Sequence, residues 1–333
     1  MNKDKLIETV ARLVKSPKGI LAMDESLNTC NKRFEKLGVP TTEEKRREYR
    51  ELLINAPGIE KYISGYILFD ETIKQSTQDG KSFTSIMQSK GIDIGIKVDQ
   101  GLIDFPSHPG EKITQGLDRL SNKLREYKNI GATFAKWRAI YTIGENIPSQ
   151  ECMKENSFLL AKYALACQEF DIVPILEPEV LIDGEHSIEK CYEVMAHNLD
   201  ALFSELRKSN IFIPGIILKT SMVIAGQDAK TKSSPEDVAR LTIKCLTEHV
   251  PAHIGGIVFL SGGQGDEEAT MNLNIMHKIG LLPWPLTFSY GRAIQNSVLQ
   301  SWAKNSNDIT TAQALLLVAA KNNSQASIGE YKK

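Results

Sequence analysis

Lys219 closes the apolar run Gly215-Ile216-Ile217-Leu218, so its stem leaves a hydrophobic strand and its amine sits in a desolvated mouth. Desolvation disfavours the ammonium form, and a second cation nearby, Lys136 or Lys97, disfavours it further, leaving an amine able to attack a carbonyl carbon. A lysine that merely snorkels from a strand end has the same local sequence. Glu177-Pro178-Glu179 places two carboxylates two positions apart, on one side of an extended chain, where one raises the pKa of the other. Such a pair beside a nucleophilic lysine can shuttle the protons that form and dehydrate a carbinolamine, although two surface acids after a strand fit the spacing too. Asp24 supplies a further base, or a salt-bridge partner for a lysine.

Two segments suit an anion. Ser261-Gly262-Gly263-Gln264-Gly265 can wrap bare backbone N–H groups around one, and Ser289-Tyr290-Gly291-Arg292 adds a hydroxyl and a guanidinium fork. Either turn alone says little; the pair, late in the chain, is where barrel enzymes hold phosphate. Cys245, His249 and His253 imitate metal-ligand spacing, but Pro251 ends the helix that would align them and no fourth ligand is near, so no metal site is expected. His108, His186, His197 and His277 are scattered singly.

Short β-branched runs must position these groups: Ile20–Ala22, Gly65–Phe69, Ile94–Val98, Ala132–Ala135, Ile172–Leu176, Gly215–Leu218, Gly256–Leu260 and Leu286–Phe288. Helical patterns alternate with them, among them Thr41–Leu53, Asp118–Tyr127, Cys152–Phe170, Ser187–Lys208, Pro235–Glu248 and Glu267–Lys278, with Pro235 following Ser234 as a first helical residue follows its cap. Asp24, Asp70 with Glu71, Lys97 with Asp99, Lys136 with Arg138, Glu177 with Glu179, Lys219, Ser261, and Ser289 with Arg292 each close a strand. Eight polar strand ends on one rim predict a single-domain α/β chain folded as a (β/α)₈ TIM barrel over residues 1–333. A helix about 3–15 precedes it, and a helix with a short tail about 308–333 ends it. An open doubly wound sheet is the alternative, but it does not require every strand to end in polar residues.

With 40 basic against 41 acidic residues, bulk charge offers nothing to nucleic acid or an anionic membrane, and a small molecule is the default partner. The longest apolar run, Ala314 to Ala320, is far short of a membrane span, and the charged start Met1-Asn2-Lys3-Asp4-Lys5 does not resemble a secretory signal; a soluble cytoplasmic protein is expected. Cys30, Cys152, Cys167, Cys191 and Cys245 are odd in number and widely spread, as reduced thiols would be.

Over nearly its whole length the chain resembles the class I fructose-bisphosphate aldolases. The resemblance rests on Gly19-Ile20-Leu21-Ala22-Met23-Asp24-Glu25-Ser26, Lys97-Val98-Asp99, Phe134-Ala135-Lys136-Trp137-Arg138, Glu177-Pro178-Glu179, Leu218-Lys219, Leu260-Ser261-Gly262-Gly263-Gln264 and Phe288-Ser289-Tyr290-Gly291-Arg292, in the family's order. Thr29-Cys30-Asn31-Lys32-Arg33 looks closer to plant and algal members than to animal ones. The resemblance implies reversible Schiff-base cleavage of fructose 1,6-bisphosphate to dihydroxyacetone phosphate and glyceraldehyde 3-phosphate, in glycolysis and gluconeogenesis, with no cofactor or metal. Another ketose bisphosphate such as sedoheptulose 1,7-bisphosphate is the alternative substrate.

Carried over residue by residue, Lys219 forms the Schiff base, Glu177 is the acid and base of its formation and hydrolysis, and Asp24 governs C3–C4 cleavage. Lys136 and Glu179 stand beside the reacting centre. Ser261, Gly262 and Arg292 hold the C1 phosphate, Ser289 and Gly291 are further substrate-binding residues, Ser26 and Lys97 contact the C6 phosphate, Arg33 contacts substrate and Arg138 has a structural or phosphate-facing role. The family also implies a homotetramer. Thr29 replaces a serine usual in animal enzymes and keeps the hydroxyl. Family members commonly continue past the position of Tyr331 to a terminal tyrosine; here Tyr331 either reaches the barrel mouth as a substitute acid or, the preferred reading with so few residues beyond the last helix, is docked and catalytically idle.

Overall fold

The computed structural model describes residues 1–333. Eight parallel strands form its centre: β1 (Gly19–Met23), β2 (Ile63–Leu68), β3 (Asp93–Lys97), β6 (Phe134–Tyr141), β7 (Val173–Val180), β8 (Ile217–Thr220), β9 (Gly256–Phe259) and β10 (Leu286–Tyr290). β1 pairs with both β2 and β10, so the sheet closes in the order β1-β10-β9-β8-β7-β6-β3-β2. That closure is a (β/α)₈ barrel and rules out the open doubly wound sheet. Every residue of β1, β2 and β7 is buried, which is why these strands read as continuous apolar runs instead of alternating ones.

The helices are α1 (Lys3–Leu13), α2 (Leu27–Glu35), α3 (Glu43–Asn55), α4 (Asp70–Ile73), α5 (Phe83–Ser89), α6 (Leu120–Ile130), α7 (Gln150–Glu169), α8 (Ile188–Lys208), α9 (Pro235–His249), α10 (Asp266–Met276), α11 (Arg292–Lys304) and α12 (Ile309–Ala326). Serine caps start several: the Ser149 hydroxyl accepts from the Cys152 N–H at 3.1 Å, and that of Ser234 from the Asp237 N–H at 3.1 Å, with Pro235 first in its helix as expected. Each such cap contributes about 1 kcal/mol.

α1 stops up the N-terminal mouth of the barrel. Its Leu6, Val10 and Leu13 pack against Ile20, Ile67, Phe134, Val173, Ile217 and Val258 from the strands. Leu6 and Leu13 are fully buried, worth about 1.5–3 kcal/mol each by area. The Phe134 ring lies so close to β3 that a Cβ on Gly95 would stand 2.2 Å from it, so only glycine fits there.

The strand limits need correction. The fourth and fifth strands were expected to end at Ala135 and Leu176, but the ladder runs on through Lys136↔Ile175, Arg138↔Glu177 and Ile140↔Glu179. Lys219 and Ser289 likewise lie within β8 and β10 instead of after them. Charged side chains do not end these strands because they neutralise one another inside the mouth. A small antiparallel hairpin, β4 (Leu102–Asp104) with β5 (Lys112–Thr114), was not foreseen; its three-residue strands are too short to show a period. α1 ends at Leu13, short of position 15. The last residues fold back, with the Tyr331 N–H donating to Asn274 Oδ1 at 3.0 Å and the Tyr331 carbonyl accepting from Asn274 Nδ2 at 3.3 Å.

Candidate active site

The C-terminal ends of the strands gather the polar residues into one mouth, as the barrel geometry requires. Lys136 on β6 is the hub: its Nζ lies 2.8 Å from Asp24 Oδ2, just past β1, and 2.8 Å from Glu177 Oε2 on β7. Lys219 Nζ on β8 lies 3.0 Å from Glu177 Oε1. Two residues further along β6 and β7, on the same face, Arg138 pairs with Glu179.

Burial alone would raise the Asp24 carboxyl, but Lys136 and Lys219 outweigh it and bring its pKa down to about 2. Burial likewise pushes Glu177 up, and Lys136, Lys219 and Arg138 together bring it below the usual carboxylate range. On Lys136 burial acts downward, yet Asp24 and Glu177 hold the ammonium well above an ordinary lysine. The expectation that Glu179 would raise Glu177 is therefore wrong: Glu179 is occupied by Arg138, and the three cations outweigh both burial and the nearby Asp24. Lys136 shares Glu177 with Lys219, whereas Lys97 is tied by the carboxylate and carbonyl of Asp99.

A cavity of about 250 Å³ is lined by Asp24, Lys136, Glu177, Glu179 and Lys219 together with Ser261, Gly262, Ser289, Gly291, Arg292, Arg33 and Arg138. Gly262 (φ 53°) and Gly263 (φ 88°), in the loop after β9, have the left-handed backbone that a non-glycine residue adopts with strain, and Gly262 lines this space. The Ser289 hydroxyl is buried with no hydrogen-bond partner. Arg292 opens α11, and its guanidinium forms no ion pair or hydrogen bond within the chain. Ser26 and Lys97 lie in an adjoining cavity of about 680 Å³, which shares Asp24, Glu25, Thr29, Lys136 and Arg138 with the first. Every candidate residue thus borders one of two connected spaces.

Glu25 was not singled out by the sequence. Its carboxylate takes Arg33 on one oxygen and Arg50, from α3, on the other at 2.7 Å, so it sets where Arg33 stands. No spacing rule links positions on separate helices in this way. The metal-like trio comes apart: α9 ends at His249, which bonds Asp200 at 2.8 Å, and no group of three or more His, Cys, Asp or Glu in the chain is placed to hold a metal ion.

Fold and site together define a (β/α)₈ barrel with a buried lysine–carboxylate centre at its C-terminal mouth, flanked by a glycine loop. The sequence model of the class-I fructose-bisphosphate aldolase family matches residues 5–333. A probable class 1 fructose-bisphosphate aldolase of Xanthomonas campestris is 50% identical over 333 residues, covering 100% of both chains. A cytosolic fructose-bisphosphate aldolase of Arabidopsis thaliana is 46% identical over 328 residues, 98% of this chain and 84% of the plant protein. The fructose-bisphosphate aldolase of Plasmodium falciparum, solved in a ternary complex with TRAP and a small-molecule inhibitor, superposes with a TM-score of 0.98 at 43% identity, covering 99% of this chain and 96% of that one. The chain belongs to the class I fructose-bisphosphate aldolase family.

Proposed function

We propose that the protein reversibly cleaves fructose 1,6-bisphosphate into dihydroxyacetone phosphate and glyceraldehyde 3-phosphate through a Schiff base on Lys219, without a metal. The observation that carries this is the buried chain Lys219–Glu177–Lys136–Asp24, with contacts of 3.0, 2.8 and 2.8 Å. Lys219 gives a proton to Glu177 and its freed Nζ adds to the C2 carbonyl; Glu177 then delivers a proton to the carbinolamine hydroxyl, which leaves as water. Asp24 takes the C4 hydroxyl proton while the C3–C4 electron pair passes into the protonated imine, releasing the aldehyde and leaving an enamine. Protonation at C3 and addition of water then return dihydroxyacetone phosphate and the free amine. Lys136 holds both acids ionised until they take a proton, and Arg138 holds Glu179 at the edge of the centre.

The inner cavity sets five cations, Arg33, Lys136, Arg138, Lys219 and Arg292, against four carboxylates, Asp24, Glu25, Glu177 and Glu179. Each carboxylate already has a cationic partner, so Arg292 is the one left for the C1 phosphate, beside Ser261, Gly262, Ser289 and Gly291. Lys97 and Ser26, in the outer cavity, are placed for the C6 phosphate. No helix is long and apolar enough to cross a membrane, and the cytosolic plant relatives support a cytoplasmic setting; family membership supports a homotetramer. Borohydride reduction with dihydroxyacetone phosphate should trap one adduct, on Lys219, and EDTA should leave cleavage unchanged. An adduct on Lys136 or Lys97, or activity abolished by the chelator, would overturn the reading.

A further inference from the structure

Each of the two connected cavities contains one basic side chain that the chain itself does not neutralise. In the inner one it is Arg292. In the outer one Lys97 is held by Asp99, Lys136 by Asp24 and Glu177, and Arg138 by Glu179. Lys123, on α6, lines the outer cavity half-buried and has neither an ion pair nor a side-chain hydrogen bond. Its acidic neighbour Asp70 is already engaged, by Lys74 Nζ at 2.9 Å and by the Tyr127 hydroxyl at 2.7 Å. The Lys123 ammonium feels the charge of Asp70 without forming an ion pair to it, so it is free to contact an anion that enters the cavity.

We propose that Lys123 binds the phosphate at the far end of the sugar, the one that leaves on the aldehyde product, and so sets the preference for ketoses phosphorylated at both ends. The inference rests on the aldolase reading above. The two unpartnered cations line different cavities, and Lys136 borders both, which is the charge pattern that a chain anionic at both ends matches. Arg292 then reads the phosphate near the imine and Lys123 the distal one, with Lys97 available once the incoming oxygens compete with Asp99.

The test compares Lys123→Gln and Lys123→Arg with wild type on fructose 1,6-bisphosphate and on fructose 1-phosphate. The Gln variant should lose about tenfold in kcat/KM on the bisphosphate, mainly through KM, and much less on the monophosphate, as expected for one charge-assisted contact in a half-exposed setting. Lys123→Arg should recover most of the loss, and raising the salt should narrow the gap between wild type and Gln. Equal losses on both substrates, or no loss on the bisphosphate, would overturn the assignment. Wild type that cleaves neither ketose would instead refute the aldolase reading, and equal urea midpoints for all three proteins would show that folding is not the cause.

Discussion

Lys136 and Lys219 approach one carboxylate from opposite sides: Lys136 Nζ lies 2.8 Å from Glu177 Oε2, and Lys219 Nζ lies 3.0 Å from Glu177 Oε1. A proton leaving Lys219 therefore meets a base at contact distance, while the second cation keeps that base ionised until the transfer. Lys136→Met removes the shared cation and leaves Asp24 and Glu177 buried without it. Unfolding in urea at pH 7 should show a loss of about 3–5 kcal/mol, and cleavage should fall at least about a hundredfold. Both carboxyl pKa values would rise in the variant, so its stability deficit should shrink as the pH is lowered towards 5. A deficit independent of pH would mean that the loss is one of packing.

Asp24 gives a pH dependence of definite sign. Its folded-state pKa, about 2, lies below the ordinary value of 3.8, so ionised Asp24 stabilises the fold at any pH above about 4. That contribution, on the order of 2 kcal/mol, is lost as the pH falls from about 4 to about 2. Asp24→Asn should lose stability less steeply over that window than wild type. Parallel denaturation curves for the two proteins would show that Asp24 is not held down by Lys136.

Arg292→Ala removes the inner cavity's unneutralised cation. The loss in kcat/KM on fructose 1,6-bisphosphate should be about thirtyfold, the equivalent of about 2 kcal/mol for one guanidinium–phosphate contact. A ketose lacking the C1 phosphate should suffer less. Equal losses on both would make Arg292 a structural residue.

Tyr331 is tied to Asn274 through its own backbone, and it lines a separate cavity among α10, α11 and α12 that shares no residue with the reaction site. Tyr331→Phe should therefore leave the cleavage rate within about twofold, a smaller effect than loss of one catalytic acid. Tritium exchange into dihydroxyacetone phosphate should be equally unaffected. Slowed exchange with normal cleavage would place its hydroxyl at the enamine.

The barrel was legible because strands buried on both faces are written as β-branched runs, and all eight could be found from them. Their ends were not, because the usual rule that a charge stops a strand fails where Lys136, Arg138, Glu177 and Glu179 neutralise one another across adjacent strands. The reacting residues were legible from type and order, and the family's motifs gave them roles. What could not be read was which acid answers which base: Glu179 lies two positions from Glu177 in sequence but belongs electrostatically to Arg138. Glu25 and Lys123 escaped for the same reason, since their importance lies in partners held, or lacking, across separate elements.

The packing of α1 into the opposite mouth has a practical consequence. Leu6, Val10 and Leu13 fill the end of the barrel away from the lysines, against Ile20, Phe134 and Val258. Heat tolerance and turnover can therefore be adjusted at opposite ends of one molecule. A library confined to α1 and the residues beneath it would select for survival at high temperature while leaving the reacting groups untouched, and a library at the carboxylate end could spend that gained stability on new substrates.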